Sequence, residues 1–162
     1  MTWQNEMVRI VRFLVNDLDS VTYADCRLEE TILVAAQLRT DQLDFDNTYT
    51  VDVDTLYLSP DPTTLETKDN FFINVVSMSA ACIILGSEAK TLAAQSARIK
   101  DGPSSIDLSS AYQSSYQMYK DICEKLDKMI LDHNAGNSTA GGAVLTPYTY
   151  EGLDGTPIRN FS

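Results

Sequence analysis

The sequence contains few of the residues with which proteins grip nucleic acid. It has only 12 Lys and Arg residues against 23 Asp and Glu residues, a net charge of -11. Because basic side chains supply most of the affinity for phosphate, this balance argues against a protein whose main work is binding DNA. An acidic surface would repel DNA, as suits the wall of a passage, although plain solubility is the simpler explanation of the same charge.

Motifs that carry chemistry are also missing. Neither a nucleophile turn of the GxSxG type nor a glycine-rich phosphate loop occurs. The densest acidic run fails as a calcium loop because, counted from Asp44, its sixth and twelfth positions hold Tyr49 and Thr55. His133 is the one histidine and has no second histidine to work with. We therefore expect no enzyme activity, no cofactor and no metal site.

Cysteine is scarce as well. Cys26, Cys82 and Cys123 are odd in number, far apart and free of the CxxC spacing typical of zinc sites. We expect three free, buried thiols in a reducing cytoplasm rather than a disulfide framework. No signal peptide is recognisable near the N-terminus. The longest apolar stretch, Phe71 to Leu85, is too short and too polar to span a bilayer.

Helical periodicity is the main feature that the sequence does contain. Apolar residues at steps of three and four, from Trp3 to Leu18, predict one buried face of a first helix that has Thr2 as its N-cap and ends near Asp19-Ser20. A second helix is predicted from about Tyr23 to Leu43, capped by Thr22 with Asp25 reaching back to the cap. Its expected buried stripe consists of Leu28, Ile32, Leu33, Ala35, Ala36 and Leu38.

The period changes to two between residues 48 and 58, which predicts a β-hairpin that turns near Asp54. Val51 and Val53 would face one side, and Asp52 and Asp54 the other. Since a lone hairpin is barely stable in water, it must rest on the helices or on another subunit. The two aspartates are candidates for an acidic ring that faces a channel, although a solvated strand face is the simpler interpretation.

Two further helices follow. The third, from about residue 69 to 95, is apolar all round in its first half and should therefore be the central one. The fourth is predicted from a cap at Asp107 to Asn134. It carries three tyrosines at helical spacing, which we expect in core and interface packing rather than in stacking on bases: Tyr112, Tyr116 and Tyr119.

The last segment, 134–162, is rich in glycine and has no helical period. It nevertheless keeps apolar and aromatic residues, which are candidate contacts with a partner protein or a neighbouring copy: Val144, Leu145, Tyr148, Tyr150, Leu153, Ile158 and Phe161. Packing back on its own domain and disorder are the alternatives. We thus predict a mainly α protein: a helical domain over 1–133, formed by a four-helix bundle with a small β-hairpin insert, and an extended C-terminal arm over 134–162.

Four segments resemble stretches of the head-to-tail connector, or adaptor, proteins of tailed bacteriophages. They are Tyr23–Leu38 (YADCRLEETILVAAQL), Phe45–Val53 (FDNTYTVDV), Leu58–Thr63 (LSPDPT) and Ile99–Leu108 (IKDGPSSIDL). They occur in the same order as in that family, which is helix, acidic hairpin, central helix, loop and helix. The resemblance covers roughly residues 22 to 133 and leaves out the C-terminal arm.

This resemblance implies a structural protein of the virion neck, assembled in the host cytoplasm. Such adaptors form a ring, usually of twelve copies, that docks beneath the portal protein, extends the DNA channel and receives the next neck or tail component. DNA would pass through the lumen without specific binding. Three alternatives stay open: a monomeric, acidic protein-binding module of the cytoplasm, another neck protein such as a stopper or tail terminator, and a hydrolase with an unrecognised site at His133.

Overall fold

The computed structural model describes residues 2–98 and 109–137. Its elements follow in the order α1 (Trp3–Val15), α2 (Asp25–Thr40), β1 (Thr50–Asp52), β2 (Tyr57–Ser59), α3 (Asn70–Arg98) and α4 (Ser109–Asn137). The prediction of a mainly α fold with four helices and a small hairpin is confirmed.

The chain divides into two compact units, Met1–Asp127 and Lys128–Ser162. The described part of the second unit is the end of α4, so residues 134–137, predicted to begin the arm, are still helical. The rest of the predicted arm lies outside the described residues, and the domain boundary at 133/134 stays a prediction.

Helix α1 ends earlier than its apolar period predicts. Asn16 adopts a left-handed conformation, with φ 58°, and the amide of Asp17 donates to the carbonyl of Arg12 at 3.0 Å. Leu18, expected in the buried stripe, is therefore 58% exposed. At the other end, Thr2 occupies the N-cap position but its side chain makes no cap hydrogen bond. The amide of Trp3 instead donates to the carboxylate of Asp61 at 3.0 Å.

Helix α2 is shorter than predicted at both ends. Its N-cap is Ala24 rather than Thr22, because the Thr22 amide and the Asp25 carboxylate are used in contacts with the end of α1. The helix ends at Thr40, and Leu38 is 51% exposed, so its place in the buried stripe was wrong. The other five members of that stripe are fully buried: Leu28, Ile32, Leu33, Ala35 and Ala36.

The hairpin lies where the period of two predicts it. Its strands are antiparallel, with Val51 opposite Leu58. Leu58 is buried, and Val51 and Val53 are partly buried against the helical core. The hairpin is thus supported by the helices of its own chain, one of the two supports that the sequence left open.

Helix α3 is the central element, as its apolar circumference predicts, and it packs against both α1 and α2. The carboxylate of Asp69 caps it by accepting the Phe72 amide at 2.9 Å, and Phe72 is fully buried. The apolar stretch of α3 was expected to be too short and too polar to span a bilayer, but by length and composition alone the segment Asn70–Ala94, with a mean hydropathy of 1.6, could cross a membrane. Since 56% of its most apolar window is buried inside the fold, core packing already accounts for this hydropathy.

Helix α4 joins the core through Ile122 and is linked to α3 by a disulfide between Cys82 and Cys123, whose Cα atoms are 5.7 Å apart. The expectation of three free, buried thiols was wrong, since Cys26 is free but exposed. The sequence did not predict this disulfide, because the two cysteines are 41 residues apart and come together only when α3 and α4 pack.

The register of the two helices follows from a second contact one turn away from the disulfide. Gly86 lies four residues after Cys82, and Tyr119 lies four residues before Cys123. A Cβ atom on Gly86 would lie 3.0 Å from Cε2 of Tyr119. The absence of a side chain at Gly86 therefore lets α4 run antiparallel to α3 at close range.

Candidate interaction surfaces

A groove of about 660 Å³ lies between α2, α3 and α4. Helix α2 contributes Ala35, Leu38, Arg39 and Gln42, and α4 contributes the three tyrosines. The lining on α3 consists of Ser79, Cys82, Ile83, Gly86, Ser87, Ala89, Lys90 and Ala93. We call this feature the three-helix groove.

The rim of the three-helix groove is apolar and open to solvent. Leu38 is 51% exposed, Tyr116 is 46% exposed and Ile83 is 40% exposed. Large apolar side chains that gather in a concave site are typical of surfaces that bind another protein. The groove therefore has the composition of a docking site rather than of a solvated helix face.

The three tyrosines of α4 form a continuous aromatic strip along the groove. The rings of Tyr112 and Tyr116 are 5.9 Å apart at an interplanar angle of 25°, and those of Tyr116 and Tyr119 are 6.1 Å apart. Tyrosine offers a rigid apolar surface together with a polar end, which suits it to interfaces. Their predicted role in packing is consistent with this placement, but a contact with another molecule stays a prediction.

The charge of the groove is opposite to that of the whole chain. Arg39 and Lys90 are its charged residues, and no carboxylate occurs among the described lining residues. The guanidinium of Arg39 is held in place, because Nε donates to the hydroxyl of Ser79 at 2.8 Å and Nη1 donates to Gln42 at 2.9 Å. The groove therefore favours an apolar ligand that carries negative charge.

Exposed apolar side chains also occur at the end of α1 and in the turn between α1 and α2. Phe13 is 66% exposed, Leu18 is 58% exposed and Val21 is 84% exposed. We call these three residues the turn patch. It shares no residue with the three-helix groove and is built by different elements.

The turn patch rests on a buried ion pair that the sequence did not reveal. Arg12, a charged residue of α1, is 8% exposed and pairs with Asp17, which is 5% exposed. The same guanidinium contacts the carboxylate of Asp25 at 2.5 Å and the carbonyl of Tyr23 at 2.9 Å. Helical periodicity gives no signal for this residue, because its partners come from the loop that follows.

Asp17 also organises the backbone of the turn. Its carboxylate accepts the amides of Val21 at 3.2 Å, Thr22 at 3.0 Å and Tyr23 at 3.2 Å. Hydrogen bonds from three successive amides fix the loop conformation. The exposed side chains of the turn patch are thus presented by an ordered backbone.

The two aspartates proposed to face a channel lie at the tip of the hairpin. The carboxylate of Asp52 accepts the amides of Asp54 at 3.0 Å and Thr55 at 3.3 Å. Hydrogen bonds from the side chain and the amide of Thr55 hold the pKa of Asp52 below its usual value. Asp52 therefore closes the turn, and Asp54 is exposed. Their orientation toward a channel stays a prediction.

The remaining predicted sites fall on the C-terminal part of the chain. The seven candidate contact residues of the C-terminal arm, from Val144 to Phe161, lie outside the described residues. His133 is partly buried in α4, within the second unit. Within 2–98 and 109–137, no group of three or more His, Cys, Asp or Glu residues is arranged to hold a metal ion.

Compared with protein-family models, with curated proteins and with solved structures, the chain has no match. The resemblance to head-to-tail adaptors is therefore carried by the sequence segments alone.

Proposed function

We propose that the chain is a structural virion protein that forms a head-to-tail adaptor ring beneath the portal. The ring extends the DNA channel and receives the next neck or tail component. The observation that supports this best is the pair of separate apolar surfaces on one folded unit, the three-helix groove and the turn patch.

Two different surfaces are what a ring requires. In a cyclic assembly each copy meets its neighbours head to tail, so every copy presents two unlike, complementary faces. A monomer that bound one partner would need one such face. The groove and the turn patch differ in composition and setting, because the groove is a concave, aromatic site between helices, whereas the turn patch consists of exposed side chains at a turn, with Val21 84% exposed.

The charge of the chain fits a DNA conduit. With a net charge of -11, repeated copies around a lumen would keep the DNA from adhering to the wall. Asp54 at the tip of the hairpin is placed in solvent, where it can contribute to such a wall. The apolar and aromatic residues of the C-terminal arm would then contact the portal or a neighbouring copy.

One alternative has its own supporting observation. A monomeric, acidic protein-binding module would use the groove alone, since a concave site with Arg39 and Lys90 is sufficient to hold one peptide. A stopper or tail terminator is less well supported, because such proteins are typically richer in strands than the single hairpin found in the described residues.

The decisive experiment is to locate the chain in purified phage particles. We expect cryo-electron microscopy of particles that carry an affinity-tagged copy to show it as a ring directly below the portal. Quantitative mass spectrometry should give a copy number equal to that of the ring. Particles that lack the chain, or one copy per particle, would rule the proposal out.

A matched pair of variants tests the turn patch. Val21→Asp changes a side chain that is 84% exposed, so it should alter stability by no more than about 0.5 kcal/mol. We expect it to abolish incorporation into particles. The control Leu131→Asp alters another exposed apolar residue, 67% exposed, outside both surfaces and should be incorporated normally. Equal incorporation of both variants would contradict a role for the patch.

A further inference from the structure

The three-helix groove has an acidic, aromatic segment available within the same chain. We propose that it binds the C-terminal arm of a neighbouring copy, through residues 144–161, and that this contact links successive copies of the ring. The inference rests on the proposed function and deepens it, because it makes the arm, rather than the turn patch, the segment of the neighbouring copy that fills the groove. If the arm contacts a neighbouring copy, it is not the main contact with the portal.

Charge complementarity is the first reason for this occupant. The segment 138–162 carries Glu151 and Asp154 among its apolar anchors, against one cation, Arg159. The groove carries Arg39 and Lys90 and, in its described lining, no carboxylate. In a chain with almost twice as many acidic as basic residues, two cations that have no carboxylate beside them in the described lining, but do have exposed apolar groups, indicate an acidic, apolar ligand.

The size of the groove is the second reason. A volume of about 660 Å³ lies within the range of roughly 300–1,000 Å³ that holds a drug-sized ligand or a few side chains. The arm offers Tyr148, Tyr150 and Leu153 close to its two carboxylates. Aromatic rings from the arm would meet Tyr112, Tyr116 and Tyr119, where ring pairs add stabilisation beyond area burial.

The length of the chain beyond α4 is the third reason. The 25 residues from 138 to 162 can span about 80 Å when extended, which is ample for reaching an adjacent molecule. An arm that filled the groove of its own copy would leave that surface unavailable for assembly. If each arm instead binds the groove of the next copy, every groove joins two copies. The ring is closed when the arm of the last copy binds the groove of the first.

Photo-crosslinking in the full-length chain tests the contact directly. Tyr116, 46% exposed in the groove, is replaced by p-benzoylphenylalanine in a 15N-labelled copy, which is mixed with unlabelled wild type. The total protein concentration is about 1 mM, comparable to the effective concentration of a short tether. Tyr57, 53% exposed on the hairpin, receives the same replacement as a control.

We expect adducts from position 116 that join a heavy groove peptide to a light peptide from 138–162, and no such adducts from position 57. Adducts formed only within one chain would overturn the exchange between copies. Adducts with any other segment, or none at all at this concentration, would overturn the proposed occupant.

A charge exchange gives an independent test. Lys90→Glu should lower the yield of heavy–light adducts by roughly two- to fivefold, the range expected for an exposed charge pair. Combining it with Glu151→Lys should restore the yield. The control Lys125→Glu makes the same change at an exposed position of α4 outside the groove, and it should leave the yield unaltered. Equal losses for Lys90→Glu and Lys125→Glu would show that net charge, and not the groove, controls the contact.

The two proposals can fail separately. A ring seen in particles without heavy–light adducts would refute the arm exchange and leave the adaptor function intact. Heavy–light adducts from a chain that is absent from particles would refute the adaptor function and leave a self-assembling protein.

Discussion

The buried ion pair beneath the turn patch allows a sharp test, because Arg12 has two carboxylate partners in contrasting surroundings. Considering side chains alone, that of Asp17 is 4% exposed, that of Asp25 is 71% exposed and that of Arg12 is 10% exposed. Substituting either aspartate by alanine removes one carboxylate from the same guanidinium. The variants differ in the burial of the lost partner and in the backbone amides that Asp17 also binds.

The two substitutions should differ severalfold in cost. Removing one partner of a buried pair typically costs about 3–5 kcal/mol, because the other charge is left desolvated and uncompensated. We expect this loss for Asp17→Ala, which also deprives three amides of their acceptor. An exposed partner contributes about 0–1 kcal/mol, since water and salt screen the interaction. Asp25→Ala should therefore cost no more than about 1 kcal/mol.

Urea unfolding followed by tryptophan fluorescence measures both values. Trp3 is the single tryptophan and is 3% exposed in the core, so its emission reports the packing of α1. With a slope of about 2 kcal/mol per M urea, Asp17→Ala should lower the midpoint by about 2 M, and Asp25→Ala by less than about 0.5 M. Midpoints that agree within error would show that the Arg12 cluster does not stabilise the turn in the way its burial indicates.

Three other perturbations test the hairpin support, the disulfide and a half-buried carboxyl. Tyr49→Phe removes the hydroxyl that donates to Asp69 at 2.7 Å and should cost about 1–3 kcal/mol by urea titration. Burial and this bond raise the pKa of Tyr49 above its ordinary 10.0, so wild type should lose stability as the pH rises past 10, and the variant should lose less. Replacing Cys82 and Cys123 together by alanine removes a cross-link between residues 41 positions apart. The chain-entropy relation predicts a loss of about 4 kcal/mol in the free energy of unfolding, and an unchanged midpoint of urea unfolding would contradict it. Burial raises the pKa of Glu88 above 4.5, so the folded state holds its proton more tightly and stability should fall as the pH rises past that value. Thermal melts of Glu88→Gln should lack this decline, and an unchanged pH profile would argue against it.

The helices were predictable because their core faces repeat along the sequence. The dense apolar residues at the start of α3 predicted a central helix, and Phe72 and Val76 are indeed fully buried. The alternation around Val51 predicted the hairpin for the same reason, since a period of two places alternate side chains on one face. These signals are local and need no knowledge of the partner element.

The ends of the helices were predicted less well, because tertiary partners decide them. Thr22 and Asp25 have the spacing of a capping box, but Asp17 and Arg12 bind the groups that the box would need. Leu18 continues the apolar period of α1 beyond the point where Asn16 ends the helix. A pattern in one segment cannot report a competing acceptor in another.

The candidate surfaces depend on tertiary structure to a still greater degree. The three-helix groove combines residues from α2, α3 and α4, so no window of the sequence contains it. The spacing of the tyrosines predicted one side of the groove, but the meeting of Arg39 and Lys90 there becomes evident only when the helices are packed. The disulfide of Cys82 belongs to the same class, because its partner lies on another helix.

The charge of the chain and its apolar surfaces have opposing effects on assembly. Copies with a net charge of -11 repel one another, which keeps a protein with exposed Leu38, Ile83 and Val21 from associating at random. Salt shortens the reach of this repulsion, from about 10 Å at 0.1 M to about 3 Å at 1 M, and it also weakens the attraction between the groove cations and an acidic arm. Apolar burial is not weakened in this way. Association driven by the groove should therefore persist as salt increases, while its selectivity for acidic segments declines, and a protein held together by charge alone would dissociate.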